Sequence, residues 1–260
     1  MIYNGSNCIP NPERIDKIAH LVLFLFYKKE KNMQTEAEKH LIFLVQKILK
    51  SFSLKGWQPK MINLGAAKST VVEDSIVDRG AFVCDRCDIQ ECFVDKPYVG
   101  SSFICALEDM SPIADGSYDI AFANFVLEHV DNPEKAAREI NRILKPGGEL
   151  VLSLSNPQAP EFRLAGLTPT SFHQLFRAEG RDEAYPVKYA YKNISNLLLL
   201  MSRAGLFPKE EKRFPATYSY LYRFPLINLF SFVYDSLLNK FNARYFMGHV
   251  VLYFSKVREK

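Results

Sequence analysis

The sequence lacks an apolar run of membrane-spanning length. The longest early one, Ile18 to Tyr27, is too short, follows a mixed-charge segment and has no small-residue cleavage site behind it. It reads as a packed helix in a cytoplasmic protein. An excess of one charge is missing too: 33 Lys and Arg stand against 29 Asp and Glu, a formal +4, and they interleave as in YKKEK and PKEEKR. The want of a basic stripe argues against a dedicated nucleic-acid binder, and no nucleic-acid partner is expected. There is no repeat, low-complexity tract or long Gly/Pro/Ser linker, so 260 residues read as one folded domain with elaborations. Cysteine is sparse and odd in number, five in all, and with no export signal the thiols are expected to be reduced. Four of them fall within Cys84 to Cys105, including a CDRC, but the second pair has the wrong spacing and no histidine lies nearby to complete a tetrahedron. The expectation is no metal, and small thiols filling a buried strand. Glycine is scarce where a phosphate loop would need it: no G-x-G-x-x-G is present, which argues against a dinucleotide-dependent oxidoreductase.

What is there begins with helical periodicity. Residues 1–58 read as an N-terminal helical cap, with Leu41, Ile42, Leu44, Val45 and Ile48 at helical spacing until Gly56 and Pro59 end it. From 59 to 156, short apolar runs (KMINLG, AFVCD, SFICAL, YDIAFANF, GELVLSLS) alternate with amphipathic stretches. That pattern implies right-handed crossovers and an α/β fold with a mainly parallel sheet flanked by helices. Thr70 and Glu73 have capping-box spacing. Asn132 before Pro133 starts a second helix whose buried face is Ala136, Ala137, Ile140, Ile143 and Leu144, stopped by KPGG. Residues 157–260 are expected to complete the sheet, with a helical insertion covering an acceptor site; His249 opens what reads as the last, edge strand.

In an open parallel sheet the first strand-to-helix turn usually holds the ligand. That turn is NLGAAKS, with Gly65, Ala67 and Ser69 at alternate positions. Together with ALEDMSPIADGSYDIAFANFVLEHVDNPEKAAREINRILKPGGELVLSLSNP, the block from Met61 to Asn156 resembles the class I S-adenosylmethionine-dependent methyltransferases, whose fold is a Rossmann-like seven-stranded sheet. The resemblance implies S-adenosyl-L-methionine as cofactor. It also implies methyl transfer by in-line displacement to a small or medium organic acceptor, with apolar, lipid-linked and glycan acceptors left open. Cofactor binding would fall to Asn63, Gly65, Ala66, Ala67 and Ser69 in the first loop. It would fall also to Asp88 or Asp85 for the ribose hydroxyls, to Leu107 and Glu108 for the adenine, and to Asn124 under the methyl group. Asn63 stands where the family has an acid that meets the cofactor's ammonium.

On the acceptor side, His129 follows the fourth strand directly and His173 lies in an insertion after the fifth, and both are candidates for proton transfer; Arg177, on the same helical face as His173, and Asn156 are candidates for holding the substrate. Because Asn63, Ala67 and Ser69 depart from the family's motif, a second function stays open: a non-catalytic binding or scaffold protein on the same fold. Residues 214–246 hold eleven of the chain's 34 aromatic residues. Helices packed on the core, a homo-oligomer contact, a cap over an apolar substrate and a peripheral lipid surface all suit that composition.

Overall fold

The computed structural model describes residues 34–165, 186–218 and 225–257. His173 and Arg177 lie outside these residues, as does the apolar run from Ile18 to Tyr27.

Seven strands form one sheet in the order β3-β2-β1-β4-β5-β7-β6. They are β1 (Lys60–Leu64), β2 (Val83–Asp88), β3 (Val99–Ile104), β4 (Tyr118–Asn124), β5 (Leu144–Ser155), β6 (Leu206–Phe214) and β7 (His249–Lys256). The first five run parallel; β7 is antiparallel to both β5 and β6. β7 therefore lies inside the sheet, and β6 takes the edge expected for it. A chain returning from β6 can pair on two sides only by entering the gap beside β5.

The two-residue period of the strands sorts side chains between two layers. Ile62, Leu64, Ala121, Ala123, Leu150, Leu152, Leu252 and Phe254 pack on one face with α3 (Pro133–Ile143) and α5 (Ile194–Arg203). Met61, Ile120, Phe122, Val151 and Val251 pack on the other, against α1 (Glu36–Ser53) through Leu41, Leu44, Val45 and Ile48. The apolar stripe of α1 is thus one layer of the core, so the boundary expected at residue 58 separates nothing among the described residues.

Helix starts follow local chemistry in one case and not in the other. The Asn132 side chain accepts the N–H of Lys135 with Pro133 in the first turn, as its spacing predicts. At α2 (Val71–Ile76), Thr70 makes no side-chain cap; its hydroxyl donates to Asp74 instead, and Glu73 turns inward. The capping box fails because Glu73 has a buried partner elsewhere. Among the described residues, three more helices, α4 (Pro160–Ala165), the α5 already named and α6 (Pro225–Lys240), follow β5. No helix among the described residues is long and apolar enough to cross a membrane.

Candidate active site

The carboxyl ends of β1, β2 and β4 meet at the loop 65–70. Gly65 has φ +67°, and a Cβ there would run into the side chain of Val126, so the single glycine of this loop satisfies two demands at once. Ala67 is also in the left-handed region, at φ 42°. The N–H groups of Gly65 and Ala66 both donate to the Cys87 carbonyl, at 2.8 and 3.1 Å, tying the loop to β2.

What holds the loop from below is Arg86, an arginine in the middle of β2 with 0% exposure. Its guanidinium donates to the carbonyls of Ala66 (3.1 Å), Ala67 (3.3 Å) and Ser69 (2.7 Å), and to the Glu73 carboxylate; its Nε donates to Cys92 O at 2.8 Å. Glu73, also 0% exposed, accepts from Asn63 Nδ2 at 2.8 Å. Five fixed donors in a planar fork are what three diverging carbonyls and a carboxylate require, and lysine could not supply them. The sequence reading missed both residues. The available signal was a charged residue at an inward-facing position of a buried strand, which demands a buried partner.

The two acids of CDRCD separate cleanly. Asp88, the last residue of β2, accepts the N–H of Ala67 at 2.9 Å and that of Gln90 at 3.0 Å, so it faces the loop at the strand's carboxyl end. Asp85 accepts from Ser101 N, Tyr118 Oη and Lys60 Nζ at 2.7 to 2.9 Å, three residues upstream in the sheet. Asp85 is thus bonded within the sheet, between β3, β4 and the start of β1, whereas Asp88 faces the loop. The thiols of Cys84, Cys87 and Cys92 are buried, Cys87 lies 3.2 Å from Cys105 across β2 and β3, and among the described residues no group of side chains is placed to hold a metal.

Leu107 is buried beyond β3, but Glu108 turns away, accepting the N–H groups of Asp131 and Asn132 at 2.8 and 3.2 Å. Those bonds set the entry to α3. Arg142 holds the rest of this connection through the carbonyls of Met110 and Ile113. At the end of β4, Asn124 accepts from Ser153 Oγ at 2.5 Å and donates to Glu38 of α1 at 2.8 Å. Asn156 is fully buried and spends its amide on the carbonyls of Tyr245 and Met247 and the N–H of Gln158. It anchors the approach to β7.

Around these strand ends stands a row of rings. Phe125, at φ 56°, meets His249 at 4.8 Å; Phe162 lies 6.0 Å from His249 and 6.4 Å from Tyr189, and Tyr189 6.1 Å from Tyr191. His129, in the turn Leu127–His129, is held by its Nδ1 against the Pro186 carbonyl at 3.1 Å. A carbonyl only accepts, so Nδ1 carries the proton and Nε2 is the ring's acceptor atom. Beside it, Glu128 is buried, bonded to Ser155 Oγ at 3.1 Å, and its other oxygen has no hydrogen-bond partner. Burial pushes the Glu128 carboxyl up to about 7. Glu161 in α4, with neither oxygen bonded, is likewise pushed up to about 7 by burial. Burial lowers His249 to about 4, so that ring is neutral at pH 7. Glu128 is the third residue missed from the sequence; it adjoins His129, and only its burial marks it.

Residues 86–152 match the family model described as a methyltransferase domain. A demethylmenaquinone methyltransferase from Renibacterium salmoninarum is 34% identical over 90 residues, which are 34% of this chain and 38% of that protein. The chain therefore spans little more than a third of that relative's length. Among solved structures, the YcgJ protein from Bacillus subtilis is similar with a TM-score of 0.54, 17% identity, and coverage of 85% of this chain and 100% of that one. The [4+2]-cyclase SpnF is similar with a TM-score of 0.54, 15% identity, and coverage of 99% and 100%.

Proposed function

We propose that this chain, which belongs to the class I S-adenosylmethionine-dependent methyltransferases by its central segment and its fold, transfers a methyl group to a small or medium apolar acceptor. The single observation that carries the reading is the loop 65–69, curved by two left-handed residues and clamped by Arg86 opposite Asp88. A buried oxygen of Glu73 without a hydrogen-bond partner, one bond from Asn63, gives that loop an electron-rich base suited to a cationic group. On this chemistry the residues fit the cofactor. Asp88 would hold the ribose hydroxyls, the backbone of Gly65, Ala66, Ala67 and Ser69 the methionine moiety, Asn63 its ammonium, Leu107 the adenine, and Asn124 the floor. When bound, S-adenosyl-L-methionine supplies a methyl on a sulfonium, open to in-line displacement.

The chain's own residues then do the rest. The rings of Phe125, Phe162 and Tyr189 offer flat apolar surface to an acceptor, a class of substrate that the Renibacterium relative's name also carries. Where the acceptor must lose a proton, Glu128 is near half ionised at pH 7 and buried enough to take it. His129 would pass the proton outward through Nε2, and His173 and Arg177 remain assigned to the acceptor side.

Calorimetric titration with S-adenosylmethionine and its demethylated product tests this. Micromolar binding is expected, with loss in Gly65→Arg. The rival non-catalytic reading is favoured by Asn63, whose amide is committed to Glu73 where the family has a free acid. Absence of binding by a folded sample free of carried-over cofactor would establish that rival.

A further inference from the structure

We infer that the outer face of α6, with the turn Arg244–Phe246 behind it, is a docking surface for an anionic lipid bilayer, independent of the methyl-transfer reading. Among the residues from Leu229 onward, α6 buries Ser231 and Leu238 against the protein. Its opposite arc carries Leu229, Phe230, Val233 and Leu237, with Leu229, Val233 and Leu237 at i, i+4 and i+8; Phe241 follows directly after the helix end, and all five are exposed. Phe230 is 76% and Phe241 71% open to solvent, values that a surface helix packing on its own core has no reason to show. Tyr245 and Phe246 extend the patch, each about half exposed.

Charge selects the occupant. From Leu229 to Phe241 the only acid is Asp235, and it points inward, accepting the N–H of Tyr218 at 2.8 Å. The outer arc ends in Lys240, and beyond it a hollow of about 330 Å³ is lined by Lys212, Arg213 and Arg244 with Asn239 and Asn242. One carboxylate, Glu211, sits in that lining and pairs with Arg213 at 2.7 Å and Arg244 at 3.2 Å, which leaves the hollow net positive. An apolar arc bordered by bases and amide donors, with no carboxylate of its own, matches acyl chains beneath phosphate headgroups. A second copy of the same face would present no acid to Lys240. The helix lies on the bilayer and does not cross it.

Sedimentation of the full chain with vesicles tests this, with cofactor omitted so that the outcome says nothing about methyl transfer. Phosphatidylcholine vesicles containing phosphatidylglycerol should carry the protein down, and vesicles of phosphatidylcholine alone should do so far less. Phe230→Ser with Leu237→Gln should abolish binding while circular dichroism and the melting temperature stay unchanged, since both side chains are exposed. Lys240→Glu with Arg244→Glu should weaken binding to anionic vesicles by at least about tenfold, since each base near such a surface contributes roughly fivefold. Binding that survives Phe230→Ser with Leu237→Gln would overturn the inference. So would a dimer, seen by light scattering, that those substitutions dissociate in a protein that no vesicle binds; it would assign the face to a second copy.

Discussion

At the scale of single residues, the site is organised by charged groups that the fold has taken out of water. Arg86 and Glu73 are the clearest pair, because neither has any contact with solvent and each is the other's only opposite charge among the bonds described. Removing one partner leaves the other buried and unpaired. Arg86→Met should therefore destabilise the protein by about 3–5 kcal/mol, and adding Glu73→Gln should recover a large part of that loss, read by urea denaturation. Equal stability of the single and double variants would refute the pairing. Glu128 makes a pH-dependent case. Its folded carboxyl holds its proton up to about 7, against an ordinary glutamate value of 4.5, so between those values the native state binds more protons and stability falls as pH rises. Glu128→Gln, which keeps an acceptor for Ser155, should match the wild type at pH 4 and exceed it by roughly 2–3 kcal/mol at pH 8. A difference that does not move with pH would show that Glu128 is not held protonated.

At the scale of elements, the two helix starts make a controlled comparison. Asn132→Ala removes a real cap from α3 and should cost about 1 kcal/mol, whereas Thr70→Ala, where no cap bond exists, should cost under about 0.5 kcal/mol. Thermal denaturation of the two variants decides it, and equal costs would mean that α2 is capped in solution after all. The same contrast shows what was legible in the sequence. Asn132-Pro133 needs nothing beyond four consecutive residues, so its geometry could be read directly. Thr70 and Glu73 have the right spacing as well, but Glu73 answers to Arg86, thirteen residues on and in β2. Asp88 and Asp85 pose the same problem: both acids belong to one strand, and only the placing of β3 beside it and of β4 beyond β1 shows that Asp85 is bonded to Ser101 and Tyr118.

At the scale of the whole molecule, acid stability follows from the ring at the start of β7. His249 is neutral when folded, with its proton affinity lowered to about 4 by burial, while the unfolded chain protonates near 6.5. Between those values the unfolded state binds more protons, so stability is complete above pH 6.5 and is lost as pH falls toward 4, by up to roughly 3 kcal/mol. His249→Phe should lessen that loss in a pH series of urea melts, and an unchanged acid slope would place the loss elsewhere. Raised carboxyls at Glu128 and Glu161 act in the opposite sense over an overlapping range, so the wild-type curve is flatter than His249 alone would make it.

The sequence by itself determined the layered α/β class, the strand-to-helix turn at Gly65, the presence of acids along the second strand and the reduced, buried state of three cysteines. These depend on periodicity and on neighbours within a few residues, which covalent order alone enforces. Only the tertiary structure decided that Arg86 holds the loop from below, that Glu108 and Asn156 serve the scaffold, that β7 lies inside the sheet, and that α6 turns its apolar arc outward. Each of those depends on which partner is brought within hydrogen-bonding or packing distance by residues tens of positions away. A buried charge takes whatever partner the fold delivers, because leaving it unpaired costs more than any local preference contributes.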